Sequence, residues 1–297
     1  MQRAPHPLLA RVVKTAWVSL PADAPAHLAP AREHVLPTGL MHLVFRLSGP
    51  GVCIFDSAAD GAGRPLGQAL VGGPRARFYA KDLSAPSHSV GVQLLPGAAQ
   101  ALLGLPADEL AGQHVSLEDL WGSGQAESAR EQLLAAATPQ ETLRRLEALL
   151  LQRLYAGSAQ GAHPVVMQAL RHFETGMGVE EVVGRSGYSH RQFIRLFSQA
   201  VGLGPKLYCR LQRFQKTLPM LQGPLGLAAV AMEAGYSDQP HLNREFREFA
   251  GLSPEQYRLA RPSSANHVAV PPWPGATRSA LSRPHVNFIQ DRAESGP

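Results

Sequence analysis

The 297-residue chain has only two cysteines, Cys53 and Cys209, far apart in different segments. That is too few for a disulfide framework, and two buried free thiols in a reducing cytosol are the expected arrangement. No apolar run approaches the roughly 20 residues of a membrane span, so no membrane partner is expected. The opening stretch, "MQRAPHPLLARVVKTAW", has no long apolar region before a cleavage site, and no signal peptide is expected. The twelve histidines are scattered: no two are separated by a single residue, and there is no H-x-x-x-H. The clustered His ligands and carboxylate of a metal-dependent enzyme are therefore missing. No Ser or Cys is accompanied by a placed base, and "HVSLEDL" reads as a capped helix start. The expectation is no enzyme, no catalytic residue, no metal and no cofactor.

The charge is unevenly spread. Residues 1–160 hold 13 basic and 13 acidic side chains, whereas residues 161–261 hold 12 and 8. The excess of +4 in the second segment suits a surface that meets a polyanion. Hydropathy patterning divides the chain in the same place. Residues 1–156 open with short, partly alternating runs such as "KTAWVSL", "MHLVFRL", "GVCIFD", "ARFYAKD" and "HSVGVQLL", which read as strands. Helical stretches follow: "GAAQALLG", "PADELAG", and a long helix opening at Thr138 as N-cap with Pro139 and Glu141 behind it. Leu143, Leu146, Leu150 and Leu154 form one stripe on that helix. The stripe fits pairing with a second copy and packing within one chain equally well. "AGSAQGAHP" supplies a linker at 157–164, and 165–261 reads as all helix. Residues 262–297, rich in Pro, Ser and Ala, read as a disordered tail.

Within 165–261 the chain writes one pattern twice. Val179, Val182 and Val183 align with Leu227, Val230 and Ala231, each set marking a short helix. Gly187-Tyr188-Ser189 aligns with Gly235-Tyr236-Ser237. Gly suits the positive φ of a tight turn, Tyr packs between the helices, and each Ser is placed to cap the next helix. That next helix is amphipathic in both copies. Phe193, Leu196, Phe197 and Ala200 face inward in the first; Leu242, Phe246 and Phe249 do so in the second. One extra residue enters the second copy, and the offset grows from 48 to 49. Gly202/Gly251, Pro205/Pro254 and Tyr208/Tyr257 then fall back into register. A short helix, a Gly turn and a capped helix with Arg and Gln outward form a helix-turn-helix. Arg can bond guanine bidentately, Gln or Asn can do so with adenine, and free N–H groups at a helix start hold phosphate.

"GYSHRQFIRLFSQAVGLGPKLYCRLQ" and "LAAVAMEAGYSDQPHLNREFREFAGLSPEQYR" carry a resemblance to the double helix-turn-helix domain of the AraC/XylS transcription regulators. It implies double-stranded DNA as partner, with two recognition helices in adjacent major grooves. It also implies Ser189, Arg191, Gln192 and Arg195 as DNA-binding residues of the first recognition helix. Gln239, His241, Asn243 and Arg244 are their counterparts in the second; Pro240 stands where the family often has Ser. The helix from about Pro205 to Leu221 would set the spacing of the two readers. "VLPTGLMHLVFRL", "VGGPRARFYAKDL" and "GVQLLPGAAQALLGLPADELAGQHVSLEDLWG" are similar to an uncharacterised sensor domain of one AraC subgroup. The expectation is an α+β protein in the cytoplasm: a mostly β, cupin-like sensor or dimerisation half, then an all-α DNA-binding half. A small-molecule effector, RNA polymerase and a second copy of the chain are the further partners this implies. His42, Arg46, Arg75, Arg77 and His88, in or beside the strands, are candidates to line an effector pocket, and surface or structural roles fit them too. The alternatives are a regulator without effector and a cupin-type enzyme fused to a DNA-binding domain.

Overall fold

The computed structural model describes residues 1–20, 32–57, 60–83, 85–156 and 161–270, so most of the expected tail and part of the expected linker lie outside the described residues. Eleven strands are described: β1 (Gln2–Arg3), β2 (Val13–Ser19), β3 (Arg32–Val35), β4 (Met41–Ser48), β5 (Cys53–Phe55), β6 (Arg64–Pro65), β7 (Ala69–Gly72), β8 (Tyr79–Asp82), β9 (His88–Leu94), β10 (His114–Ser116) and β11 (His267–Val270). They form two antiparallel sheets, ordered β1-β2-β9-β4-β7-β10 and β11-β3-β8-β5-β6. Four helices complete the N-terminal half: α1 (Ala98–Leu103), α2 (Leu117–Trp121), α3 (Ser123–Leu134) and α4 (Pro139–Ala156). Seven follow: α5 (Pro164–Glu174), α6 (Val179–Arg185), α7 (His190–Val201), α8 (Pro205–Gln222), α9 (Leu227–Ala234), α10 (Gln239–Ala250) and α11 (Pro254–Ala260). The chain is α+β, with its strands gathered in the first half and its longest helical array in the second.

β4 shows why the first sheet has a helical cover. Its period of two buries Met41, Leu43, Phe45 and Leu47 on one face and leaves His42, Val44 and Arg46 on the other. The buried set joins Val90, Val92 and the four leucines of the α4 stripe in one core. The stripe is thus consumed within the chain: Leu143, Leu146 and Leu150 are fully buried. The α4 cap forms as its sequence requires. Thr138 Oγ1 accepts from the Glu141 N–H at 3.2 Å, and the Glu141 carboxylate accepts from the Ala137 N–H at 2.9 Å. "HVSLEDL" also holds a capped start, with Ser116 Oγ accepting from the Glu118 N–H at 3.3 Å. "PADELAG" makes only a single 3-10 turn, Ala107–Leu110. Cys53 and Cys209 are both free and half-buried, and burial pushes the Cys209 thiol up to about 11.

The expected disordered tail is wrong at its beginning. β11 lies beyond Pro262 and pairs antiparallel with β3, His267 opposite Val35 and Val270 opposite Arg32. The cause is local chemistry that composition conceals. Val268 is buried in the core of the helical half together with Leu36. Tyr257 Oη donates to the Ala265 carbonyl at 2.9 Å, and His267 Nδ1 lies 2.7 Å from Glu33 Oε1. Lys81 Nζ is 2.6 Å from the same buried carboxylate. Ending the chain at Pro262 is therefore expected to lower stability in chemical denaturation, by about 1.5–3 kcal/mol from Val268 alone. An unchanged midpoint would show that β11 contributes nothing.

Candidate nucleic-acid interface

The second half holds two copies of one device. In the first, α6 ends at Arg185 with Ser186 as its C-cap, and the chain turns through Gly187 into α7. Ser189 caps α7: its Oγ accepts from the Gln192 N–H at 3.4 Å, and Gln192 Oε1 accepts from the Ser189 N–H at 3.3 Å. In the second copy the cap falls one residue later than expected. Asp238, rather than Ser237, caps α10, accepting from the His241 N–H at 2.6 Å. The extra residue that shifts the repeat offset to 49 is the reason: Asp238, not Ser237, aligns with Ser189. Ser237 instead lies 3.1 Å from His241 Nδ1. The tyrosines also part company. Tyr236 is buried between helices as expected, whereas Tyr188 is partly exposed and meets His163 edge-on at 5.7 Å.

Both second helices are pinned by aromatic packing. Phe193 and Phe197 of α7 are fully buried, with Phe197 against Phe173 and Tyr208 at ring-centroid distances of 5.6 and 5.5 Å. Phe246 and Phe249 of α10 both pack on Phe214 of α8, at 5.1 and 5.2 Å. α10 has a second anchor that sequence reasoning missed. Glu245 is buried on its inner face and takes Arg210 Nε at 2.9 Å and Arg213 Nη2 at 3.4 Å, both from α8. Arg213 also donates to the Gly235 carbonyl at 3.1 Å and lies over the Tyr236 ring, tying the turn to the helix it introduces.

The expected DNA-binding residues fall into two groups. Arg191, Arg195 and Arg244 are exposed on the outer faces of α7 and α10. Arg191 and Arg195 have no salt bridge among the described residues. Gln192 is exposed with its carbonyl oxygen occupied by the cap, and Gln239 is half-buried at the start of α10. His241 is knitted into the protein, edge-on to Tyr236 at 5.1 Å and 3.8 Å from the Glu245 carboxylate. Asn243 is half-buried, with Oδ1 enclosed and without a hydrogen-bond partner among the described residues. Asp238 brings a second difference between the copies. Ser189 leaves the amino end of α7 electropositive, whereas the Asp238 carboxylate already answers the dipole of α10. Hydrogen bonding, first from the His241 N–H, holds that carboxyl below its usual range.

None of the five candidate pocket residues of the N-terminal half, His42, Arg46, Arg75, Arg77 and His88, lines the cavity found there. A cavity of about 440 Å³ opens where the free edges of the two sheets meet, lined by Arg64, Leu66, His114, Ser116, Glu118 and Asp119 among others. Arg75 Nη2 lies 2.6 Å from His114 Nδ1, and its guanidinium stacks on Tyr79. Burial and then the neighbouring cations push His114 down to about 2, and similar causes push His42 to about 4. Both imidazoles are therefore neutral at neutral pH. Arg46 and His88 lie on β4 and β9 beyond this group, and Arg77 is exposed. Among the described residues, no group of three His, Cys, Asp or Glu is placed to hold a metal.

Comparison with known proteins agrees with this division. Residues 182–260 match the family model of a helix-turn-helix domain, and residues 1–116 match that of a domain of unknown function (DUF6597). An uncharacterised HTH-type transcriptional regulator of Haemophilus influenzae is 27% identical over 106 residues, 35% of this chain and 36% of that protein. The virulence regulon transcriptional activator VirF of Yersinia enterocolitica is 28% identical over 134 residues, 39% of this chain and 48% of that protein. The chain thus spans less than half the length of these curated relatives. Among solved structures, ToxT from Vibrio cholerae superposes with a TM-score of 0.41 at 7% identity, covering 82% of this chain and 98% of that one.

Proposed function

We propose, from a helical half that is a helix-turn-helix domain of the AraC type, that this protein is a sequence-specific DNA-binding transcription regulator which lays α7 and α10 in adjacent major grooves. The observation that carries the reading is the pairing of two capped amphipathic helices, each buried on one face and presenting arginine on the other. Arg191 and Arg195 on α7, and Arg244 with Gln239 on α10, are the base readers. The open amino end of α7 at Ser189 takes a phosphate; α10, with Asp238 in that place, relies on its side chains. His241, held against Tyr236 and the Glu245 carboxylate, supports α10 more than it reads bases. The surplus of positive charge in residues 161–261 adds affinity that is independent of sequence and falls with salt.

Arg244→Ala is expected to cost about 1–3 kcal/mol of binding and to relax discrimination at one base position. The check is competitive binding against a panel of single-base variants of the site, at fixed salt. Equal losses on every sequence would reassign Arg244 to phosphate. The cavity between the sheet edges supports the further reading that a small-molecule effector modulates this activity from the N-terminal half. RNA polymerase and a second copy of the chain complete the partners that a regulator of this type would meet in the cytoplasm.

A further inference from the structure

The two reading helices share a feature at their far ends. The last turn of a helix leaves carbonyls without intrahelical partners. For α7 the Ala200 carbonyl accepts from the Gly97 N–H at 2.9 Å. For α10 the Phe249 carbonyl accepts from the Phe78 N–H at 2.9 Å, and His34 Nδ1 donates to the Ala250 carbonyl at 3.1 Å. Every one of these donors belongs to the N-terminal half.

The equivalent terminators of the repeat, Gly202 and Gly251, meet that half even more closely. Both have positive φ, +79° and +69°. A Cβ on Gly202 would collide with the Pro74 ring, and one on Gly251 with the Phe78 ring. Pro74 and Phe78 lie in one short crossing that carries the chain from β7 in the first sheet to β8 in the second. The crossing is fixed from behind: the Gly73 N–H donates to the Gln113 carbonyl, and the Gly112 N–H to the Pro74 carbonyl, both at 2.8 Å. Phe78 is further held by stacking on His34, with ring centroids 4.2 Å apart.

Resting on the DNA-reading function proposed above, we infer that the Pro74–Phe78 crossing sets the spacing and angle between α7 and α10, so that Pro74 and Phe78 are positioning residues which determine the geometry of the DNA site. Neither residue touches DNA. Each braces the carboxyl end of one reader while the amino ends face outward. Two linked readers gain affinity on a composite site only when their separation matches it. A brace that removes play between them therefore raises both affinity and spacing selectivity, beyond what α8 supplies as the covalent link. Arg75, within the same crossing, contacts His114 on the cavity wall, so the brace and the cavity share one segment.

The test uses the full chain and duplexes carrying both half-sites at the native separation, both half-sites moved apart by two base pairs, or one half-site. Phe78→Ala is expected to lower affinity for the native composite site roughly tenfold, to flatten the preference for native spacing, and to leave half-site affinity within about twofold. Phe78→Tyr keeps the ring and is expected to restore the preference. Pro74→Ala, which trims the buried ring that meets Gly202 and leaves the Ala107 carbonyl beside it, provides a second variant should Phe78→Ala unfold. An unchanged spacing preference in folded variants overturns the inference alone. An unsubstituted protein that protects only one patch overturns the inference together with the reading on which it rests.

Discussion

Phe214→Ala is expected to destabilise the helical half by about 3–5 kcal/mol. Phe214 is fully buried on α8 and is the surface on which both Phe246 and Phe249 of α10 pack. Its removal leaves a cavity that these rings cannot collapse to fill, because α10 is also tethered through Glu245 to Arg210 and Arg213. The second reading helix should loosen before the first, since α7 packs on Phe173 and Tyr208 instead. Urea denaturation followed by circular dichroism reads the loss. Hydrogen exchange should show the amides of α10 opening more than those of α7. A loss below about 1 kcal/mol would mean that the packing around Phe214 is looser than its burial indicates.

Arg191→Ala combined with Arg244→Ala removes one exposed arginine from each reading helix. At about 1–3 kcal/mol each, and with the sites on separate helices, the losses should add to about 2–6 kcal/mol of binding. That corresponds to a reduction in affinity of roughly thirtyfold to twenty-thousandfold. Stability should change little, because both side chains are exposed and their arms are not part of either core. Anisotropy titration with a labelled site at constant salt measures the effect. A double variant that binds as tightly as the parent would remove these helices from the interface. Losses equal on every sequence, with a shallower salt dependence, would assign both arginines to phosphate.

The helical half is legible in the sequence because its determinants are local. Caps, turn glycines and terminating Gly-Pro pairs act within four residues of each other, and buried stripes recur at helical period. Two local expectations differ: the inserted residue makes Asp238 rather than Ser237 the cap of α10, and Tyr188, unlike Tyr236, is exposed. Glu245 escaped notice for a different reason. Its partners lie more than thirty residues away on α8, and a carboxylate on the inner face looks like an interruption of the stripe until they are seen. Short strands fared worst. β7, "ALVG", is buried on both sides and has no alternation to reveal it. β11 does alternate, but it sits in a Pro- and Ser-rich context that reads as disorder. The docking of both reading helices on the β7–β8 crossing pairs residues more than a hundred positions apart, which no periodicity encodes.

The measurement closest to the central claim is selection of genome fragments by the purified full-length protein at stated salt, followed by footprinting of the enriched site. Two protected major-groove patches are expected, about one helical turn apart on one face of the duplex. A single protected patch, or steeply salt-dependent binding that enriches no sequence, would contradict it.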